Sequence, residues 1–258
     1  MVGFPAEDAA IPFFKRADAE IYYEVQGSGP PLLLFAPGGL QSRIERWHAA
    51  PAAPGELRPR LDPTLDLTDR FTVIAMDQRN AGQSRGKVAA AHGWHTYAAD
   101  HLALMDHLGH RRFLVMGACI GGSFDLKLCQ VAPERIAAAV LMNPIGLHEN
   151  RDYWEAMARQ YGVLVRERDP SISEEDTDSF GRNIFGSDFV FSVDRDFVRS
   201  CRTPLYLMPG KDLPHPAPTS AEIAALAPDI QVHENWDGVA NVAESVRRVS
   251  QFLLRHAP

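Results

Sequence analysis

Hydrophobic and polar positions alternate in two distinct ways along this chain. Residues 19–25, Ala-Glu-Ile-Tyr-Tyr-Glu-Val, alternate with period two and are rich in β formers, which predicts a half-exposed strand. Continuous apolar runs at 31–36, 70–76, 113–116, 136–142 and 204–208 predict strands buried on both faces. A last short strand is expected at 230–235. Between these runs the spacing becomes helical. Ala98, Leu102, Met105 and Leu108 mark a helix over 97–108 that Gly109 stops. A short helix is expected at 44–50, another from 123 to about 131, and one over 219–226 with Thr219 or Ser220 as its N-cap. Val242, Val246, Val249 and Leu253 mark a closing helix over 239–254. Residues 49–60 hold three prolines and a glycine and read as an exposed excursion.

Strands alternating with helices, with the strands continuously apolar, predict a mostly parallel sheet covered on both faces. The pattern changes from 147 to 200. This stretch is charged, aromatic and helical in patches (153–161 and 174–185) and has no buried-strand run. It reads as a helical cap, residues 147–200, inserted into an α/β core formed by 1–146 and 201–258. In open parallel sheets, sites lie at the carboxyl ends of the strands. Pro37-Gly38-Gly39, Asp77, Cys119, Asn143 and Asp212 all follow strand ends and are expected along one edge, beneath the cap.

Composition narrows the class. A chain of 258 residues with 45% hydrophobic content supports one substantial core. The net charge of −7 without a long like-charge run argues against a nucleic-acid partner. Three cysteines, Cys119, Cys129 and Cys201, do not suggest a disulfide framework. Residues 1–12 lack the basic start and apolar stretch of a signal peptide, and no run approaches the roughly 20 apolar residues of a membrane span. A reducing cytoplasm is the expected location. The ten histidines are scattered without metal-ligand spacing. The expected partner is a small-molecule substrate, with no cofactor, metal or membrane; a homodimer is left open.

The chemistry centres on Gly117-Ala118-Cys119-Ile120-Gly121-Gly122, where a strand turns at once into a helix. Glycines on both sides permit close approach of the two elements. The side chain between them is held at the tip, beside the unpaired N–H groups of a helix start. A cysteine there has its thiol drawn below the free value near 8.5 and becomes a candidate nucleophile.

Four segments in order resemble the α/β-hydrolase superfamily, over nearly the whole chain from about Ile21. Asp77-Gln78-Arg79-Asn80-Ala81-Gly82-Gln83-Ser84 is similar to the Asp-x-Arg-Gly-x-Gly-x-Ser turn, with Asn80 in place of a glycine. Gly117 to Gly121 resembles the nucleophile elbow, with Cys for the commoner Ser, as in dienelactone hydrolases. Pro37-Gly38-Gly39 resembles the oxyanion loop, and 204–212 resembles the strand and turn delivering the triad acid. The resemblance implies Cys119 as nucleophile, Asp212 as triad acid, and an oxyanion site from the backbone N–H groups of Ile120 and of Gly39 or Leu40. It also implies a histidine after the last strand, about 17 residues before the final Phe-Leu. That position falls on Asn235 and Trp236. His215, in the stiff Asp212-Leu213-Pro214-His215-Pro216 loop, is the leading candidate base, and His233 the second. His148, Trp154 and Trp236 are candidates to line the substrate pocket; His92 and His95 could line it too. The aromatic cap favours an apolar substrate. The reading is a cofactor-independent hydrolase of an ester, thioester or lactone. The absent histidine leaves a non-hydrolytic alternative: a binder, cyclase or lyase of the same fold.

Overall fold

The computed structural model describes residues 12–48 and 58–258. In chain order the elements are β1 (Phe13–Lys15), β2 (Ala19–Gln26), β3 (Pro31–Phe35), α1 (Pro63–Asp66), β4 (Thr72–Met76), β5 (Arg85–Gly86), α2 (Trp94–His107), β6 (Phe113–Ala118) and α3 (Ile120–Val131). Then follow β7 (Ile136–Met142), α4 (Arg151–Arg168), α5 (Glu174–Phe185), α6 (Arg195–Ser200), β8 (Leu205–Met208), α7 (Ala217–Leu226), β9 (Ile230–Val232) and α8 (Val242–Arg255). The strands form one sheet in the order β1-β2-β4-β3-β6-β7-β8-β9, with β5 paired to β2. From β4 to β9 every pairing is parallel, while β1, β2 and β5 pair antiparallel.

The continuous apolar runs are explained by two cores. Leu33, Phe35, Ile74, Val115 and Leu141 point into one layer, shared with α2, α3 and the 147–200 segment. Leu32, Leu34, Leu114, Met116 and Val140 point into the other, against Leu67, Phe71 and the Val249, Phe252 and Leu253 stripe of α8. A strand with helices on both faces has no polar side, so period-two alternation disappears.

The 147–200 segment contains only helices among its regular elements. Its two long helices pack through Tyr161 on Phe180, 5.3 Å between ring centres, and Trp154 on Phe185, 5.0 Å. No helix among the described residues is long and apolar enough to cross a membrane.

Several expectations are corrected in detail. The helix expected at 44–50 is a single 3-10 turn, Ile44–Trp47. The seventh helix opens at Ala217 after Pro216, which has no side chain able to cap; Ser220 instead accepts the Gly210 N–H. The closing helix starts at Val242, with a 3-10 turn over Val239–Asn241 before it. The expectations for residues 1–11 and 49–57 lie outside the described residues.

The 77–84 turn is structural. The Asp77 carboxylate accepts the N–H groups of Ile44 and Gln83, each at 2.8 Å. Asn80 has φ 62°, a left-handed conformation that asparagine tolerates better than most residues, so it replaces a glycine without gross strain. Buried Arg79 grips both carboxylate oxygens of buried Asp100, at 2.8 and 2.9 Å, and reaches Asp18 at 2.8 Å. Alanine at Asp100 leaves that guanidinium buried with only the partly exposed Asp18 as counter-charge. The expected loss is about 3–5 kcal/mol, read as a lower urea midpoint. An unchanged midpoint would show that the cluster is dispensable.

Candidate active site

Sheet order brings the ends of β3, β6, β7 and β8 side by side. β6 runs into Cys119, whose φ of 59° and ψ of −119° lie outside the regions that non-glycine residues ordinarily occupy. The surroundings impose this strain. The Cys119 N–H donates to the Met142 carbonyl at 3.0 Å, and its carbonyl accepts from Gly122 at 3.2 Å and Ile145 at 3.3 Å. Cβ atoms on Gly117 or Gly121 would collide with the Gly121 backbone or the Phe35 carbonyl. Only glycines let α3 press this closely on the sheet. The Ile120 N–H, in the first turn of α3, has no carbonyl partner within its own helix.

The histidine comes from the loop after β8. Residues 212–215 close a tight turn: the Asp212 N–H donates to the His215 carbonyl at 3.3 Å, and the His215 N–H to the Asp212 carbonyl at 3.1 Å. The Asp212 carboxylate meets His215 Nδ1 at 2.5 Å. That contact assigns the ring proton to Nδ1 and leaves Nε2 toward Cys119. Nε2 is buried and has no nitrogen or oxygen partner. His215 and Cys119 each shift the other's titration. Burial pushes the Cys119 thiol up, but the His215 side chain and the Gly38 and Gly39 amides more than reverse this, leaving it below its ordinary value. Burial lowers His215, but Cys119 and Asp212 outweigh that and raise it. The imidazole itself is largely enclosed, whereas the Asp212 carboxyl is 62% exposed.

On the other side of the sulfur, Gly38 and Gly39 follow β3 with φ of 119° and 58°. These left-handed conformations turn their amides toward Cys119. Of the two amides offered for this role, Gly39 and Leu40, that of Gly39 acts on the sulfur, together with that of Gly38. Met157 of α4 lies against Gly39, closely enough that a Cβ there would meet its sulfur. One turn earlier on the same helix face, the Tyr153 hydroxyl is held above its ordinary value by burial and then by the negative charge of Cys119 and Asp212. Gly38 belongs to the Pro37-Gly38-Gly39 loop already singled out in the sequence, whereas Tyr153 carries no motif and only its i, i+4 spacing to Met157 was available to reveal it.

Other candidates fall elsewhere. His233 lies just past β9, buried edge-on to Tyr206, and burial followed by the Arg248 charge lowers its titration. Its neighbours are on α8, not at Cys119, so it is not the imidazole of this group. Trp154 is fully buried between Phe185 and Phe191 and donates its ring N–H to the Gly146 carbonyl. It is a core residue of the helical segment with no face open to a ligand. Trp236, at the position where the family resemblance places histidine, is buried in the α8-side core and donates to the Pro209 carbonyl at 2.8 Å. It also lines a cavity of about 360 Å³ that reaches Asp212 and Asn143. An adjoining cavity of about 220 Å³ is walled by Pro37, Gly38, Ala118, Met142 and Asn143. His148 is exposed, and its backbone N–H donates to the Asn150 side-chain oxygen. His95 lies in the first turn of α2, while His92 precedes that helix. Two further cavities, of about 290 and 460 Å³, share no residue with the Cys119 group. No group of three or more potential metal ligands occurs among the described residues.

A mostly parallel sheet of this order, with a strained residue at the strand–helix elbow after β6, is the α/β-hydrolase architecture; the histidine on the loop after β8, in place of one after the last strand, is a departure from it. Residues 31–196 match the α/β hydrolase fold family, and the chain belongs to it. Among curated proteins it is similar to one from Azorhizobium caulinodans described as a carbamate hydrolase, RutD, with 29% identity over 52% of this chain and 44% of that one. It is also similar to a non-heme haloperoxidase of Rhodococcus erythropolis, with 30% identity over 52% and 44%. The matches thus span less than half the length of these relatives. Among solved structures, the enol-lactonase of Burkholderia xenovorans LB400 superposes over 95% of this chain and 99% of its own, with TM-score 0.63 and 18% identity. A thermophilic esterase of Thermogutta terrifontis superposes over 96% and 98%, with TM-score 0.64 and 18% identity. At these identities the superpositions establish the fold alone.

Proposed function

We propose that the protein is a hydrolase of an ester, thioester or lactone of an apolar small molecule, acting through an acyl-enzyme on Cys119. One observation carries the reading: the His215 imidazole stands between the Asp212 carboxylate and the Cys119 sulfur. The carbamate hydrolase description of the partial relative from Azorhizobium caulinodans is in keeping with hydrolysis.

The thiolate attacks the acyl carbon, and the carbonyl electron pair moves onto oxygen to give a tetrahedral oxyanion. The Ile120 N–H and those of Gly38 and Gly39 are the donors for that charge. Collapse re-forms the carbonyl and breaks the bond to the leaving oxygen or sulfur, which takes a proton from His215 Nε2. Cys119 is then a thioester. His215 removes a proton from water, the resulting hydroxide displaces the thiolate, and the carboxylic acid leaves. Asp212 keeps Nδ1 protonated throughout. The 147–200 helices act as the cap, with Tyr153 and Met157 facing the acyl group. The non-hydrolytic alternative rested on the missing histidine; His215 offers an imidazole from a different loop.

The test is stopped-flow release of p-nitrophenol from short and medium acyl esters, with mass spectrometry of the quenched protein. A burst and one acyl group on Cys119 are expected. Neither turnover nor adduct over a panel of oxygen esters, thioesters and lactones would sink the reading. Because the Asp212 carboxyl is largely in water, replacing it by Asn should matter less than a buried triad acid does. The expected fall in kcat is roughly 10–100-fold. Losing this charge also lets the His215 titration fall, so the corresponding limb of the pH profile should move to lower pH. A profile identical to wild type would show that Asp212 does not act on the ring.

A further inference from the structure

The loop carrying His215 is short, and its internal hydrogen bonds join its ends to each other, not to the rest of the fold. Among the described residues, one hydrogen bond reaches residues 212–215 from outside the turn. Asn150 Nδ2 donates to the Leu213 carbonyl at 2.7 Å. The same amide donates to the Gly146 carbonyl at 3.0 Å, and Asn150 Oδ1 accepts the His148 N–H at 3.0 Å. Asn150 is 3% exposed and sits immediately before α4, where the helical segment leaves the sheet. Leu213 directs its side chain outward, 58% exposed, so apolar packing does little to hold the tip of the turn.

We propose that Asn150 is a positioning residue that anchors the 212–215 turn and thereby sets His215 against Cys119. This rests on His215 acting on Cys119, as proposed above. The physical argument is one of alternatives. Pro214 and Pro216 stiffen the turn internally but do not fix it to the rest of the fold, and each placement of the turn that moves His215 away from Cys119 is unproductive. Two hydrogen bonds from one buried amide fix the Leu213 carbonyl relative to Gly146, which follows β7 beside Cys119. Asn150 thus joins the entrance of the helical segment to the imidazole, 63 residues apart in sequence for the Leu213 contact.

Alkylation of Cys119 by iodoacetamide as a function of pH separates positioning from folding. It reports whether the imidazole still acts on the sulfur, and it needs no substrate. Wild type, Asn150→Ala and His215→Ala are compared at temperatures below their melting points. The Asn150→Ala profile should move most of the way toward that of His215→Ala. On a p-nitrophenyl ester, kcat should fall roughly 10–100-fold with KM within about twofold. Asn150→Ser keeps a residue favoured before a helix start but is too short to bridge both carbonyls. It should behave likewise, and it serves if the alanine variant does not fold. If His215→Ala shifts the profile and neither Asn150 variant does, the proposal is overturned while the triad stands. If His215→Ala shifts nothing, both fall together.

Discussion

Alanine at Cys119 should abolish the p-nitrophenol burst, the covalent adduct and steady-state turnover together, with kcat lower by roughly 10⁴-fold or more. The size follows from the division of labour at the site. On the proposed mechanism, substrate binding and the oxyanion donors survive the substitution, but the attacking group is gone. Cys129 and Cys201 are both buried and lie beside each other, away from the elbow. Serine is the more informative replacement. A thiolate is already favoured by His215 and two amides, whereas a hydroxyl must surrender its proton during attack. Its rate then rests entirely on general-base assistance from His215, and activity should fall by roughly 10²–10⁴-fold, the range such assistance supplies. Circular dichroism and melting temperature should change little, because the strained backbone at Cys119 is held by its own N–H donating to the Met142 carbonyl and by the Gly122 and Ile145 N–H groups donating to its carbonyl, rather than by its side chain. Wild-type turnover in the alanine variant would remove Cys119 from the mechanism.

Much of this arrangement was legible in the residues, and what was not has identifiable physical reasons. The parallel strands announce themselves because burial on two faces demands unbroken apolar runs. The elbow does so because close packing of strand and helix demands Gly117 and Gly121. His215 could be found because two prolines and an acid confine it to a strand-end loop. By contrast, β1 and β5, three and two residues long, carry no period of their own; cross-strand pairs such as Phe13 opposite Tyr22 and Glu20 opposite Arg85 define them. Trp154 and Trp236 share the aromatic composition of pocket residues, but composition does not say which way a ring faces. Trp154 fills the core of the helical segment, while Trp236 packs into the α8-side core and also borders the cavity that reaches Asp212. Asn150 was invisible for a related reason. Its contact with Leu213 joins segments brought together only by the sheet order, and no local pattern encodes it.

Alanine at His215 should come close to the Cys119 variant in its effect on turnover, lowering kcat by roughly 10³–10⁴-fold. It should also do something the Cys119 variant cannot, which is to move the thiol's titration. In the wild type, burial is the largest influence on Cys119 and raises it, while His215 and the Gly38 and Gly39 amides pull it below the ordinary value. Without the imidazole, burial is opposed by the two amides alone, so the alkylation midpoint should move to higher pH. The converse holds for the ring. His215 is raised by Cys119 and Asp212 against burial, so its proton is retained to higher pH than in a free histidine. A lowered thiol and a raised imidazole widen the pH range in which thiolate and imidazolium coexist. The acid limb of kcat/KM should follow protonation of the thiolate, and the alkaline limb loss of the imidazolium proton needed by the leaving group. The His215→Ala variant should lose the alkaline limb and shift the acid limb upward. Histidine at His233 gives a built-in control: its ring faces Tyr206 and α8, so His233→Ala should leave both limbs in place. Should the His233 variant reproduce these changes and the His215 variant not, the base has been assigned to the wrong ring.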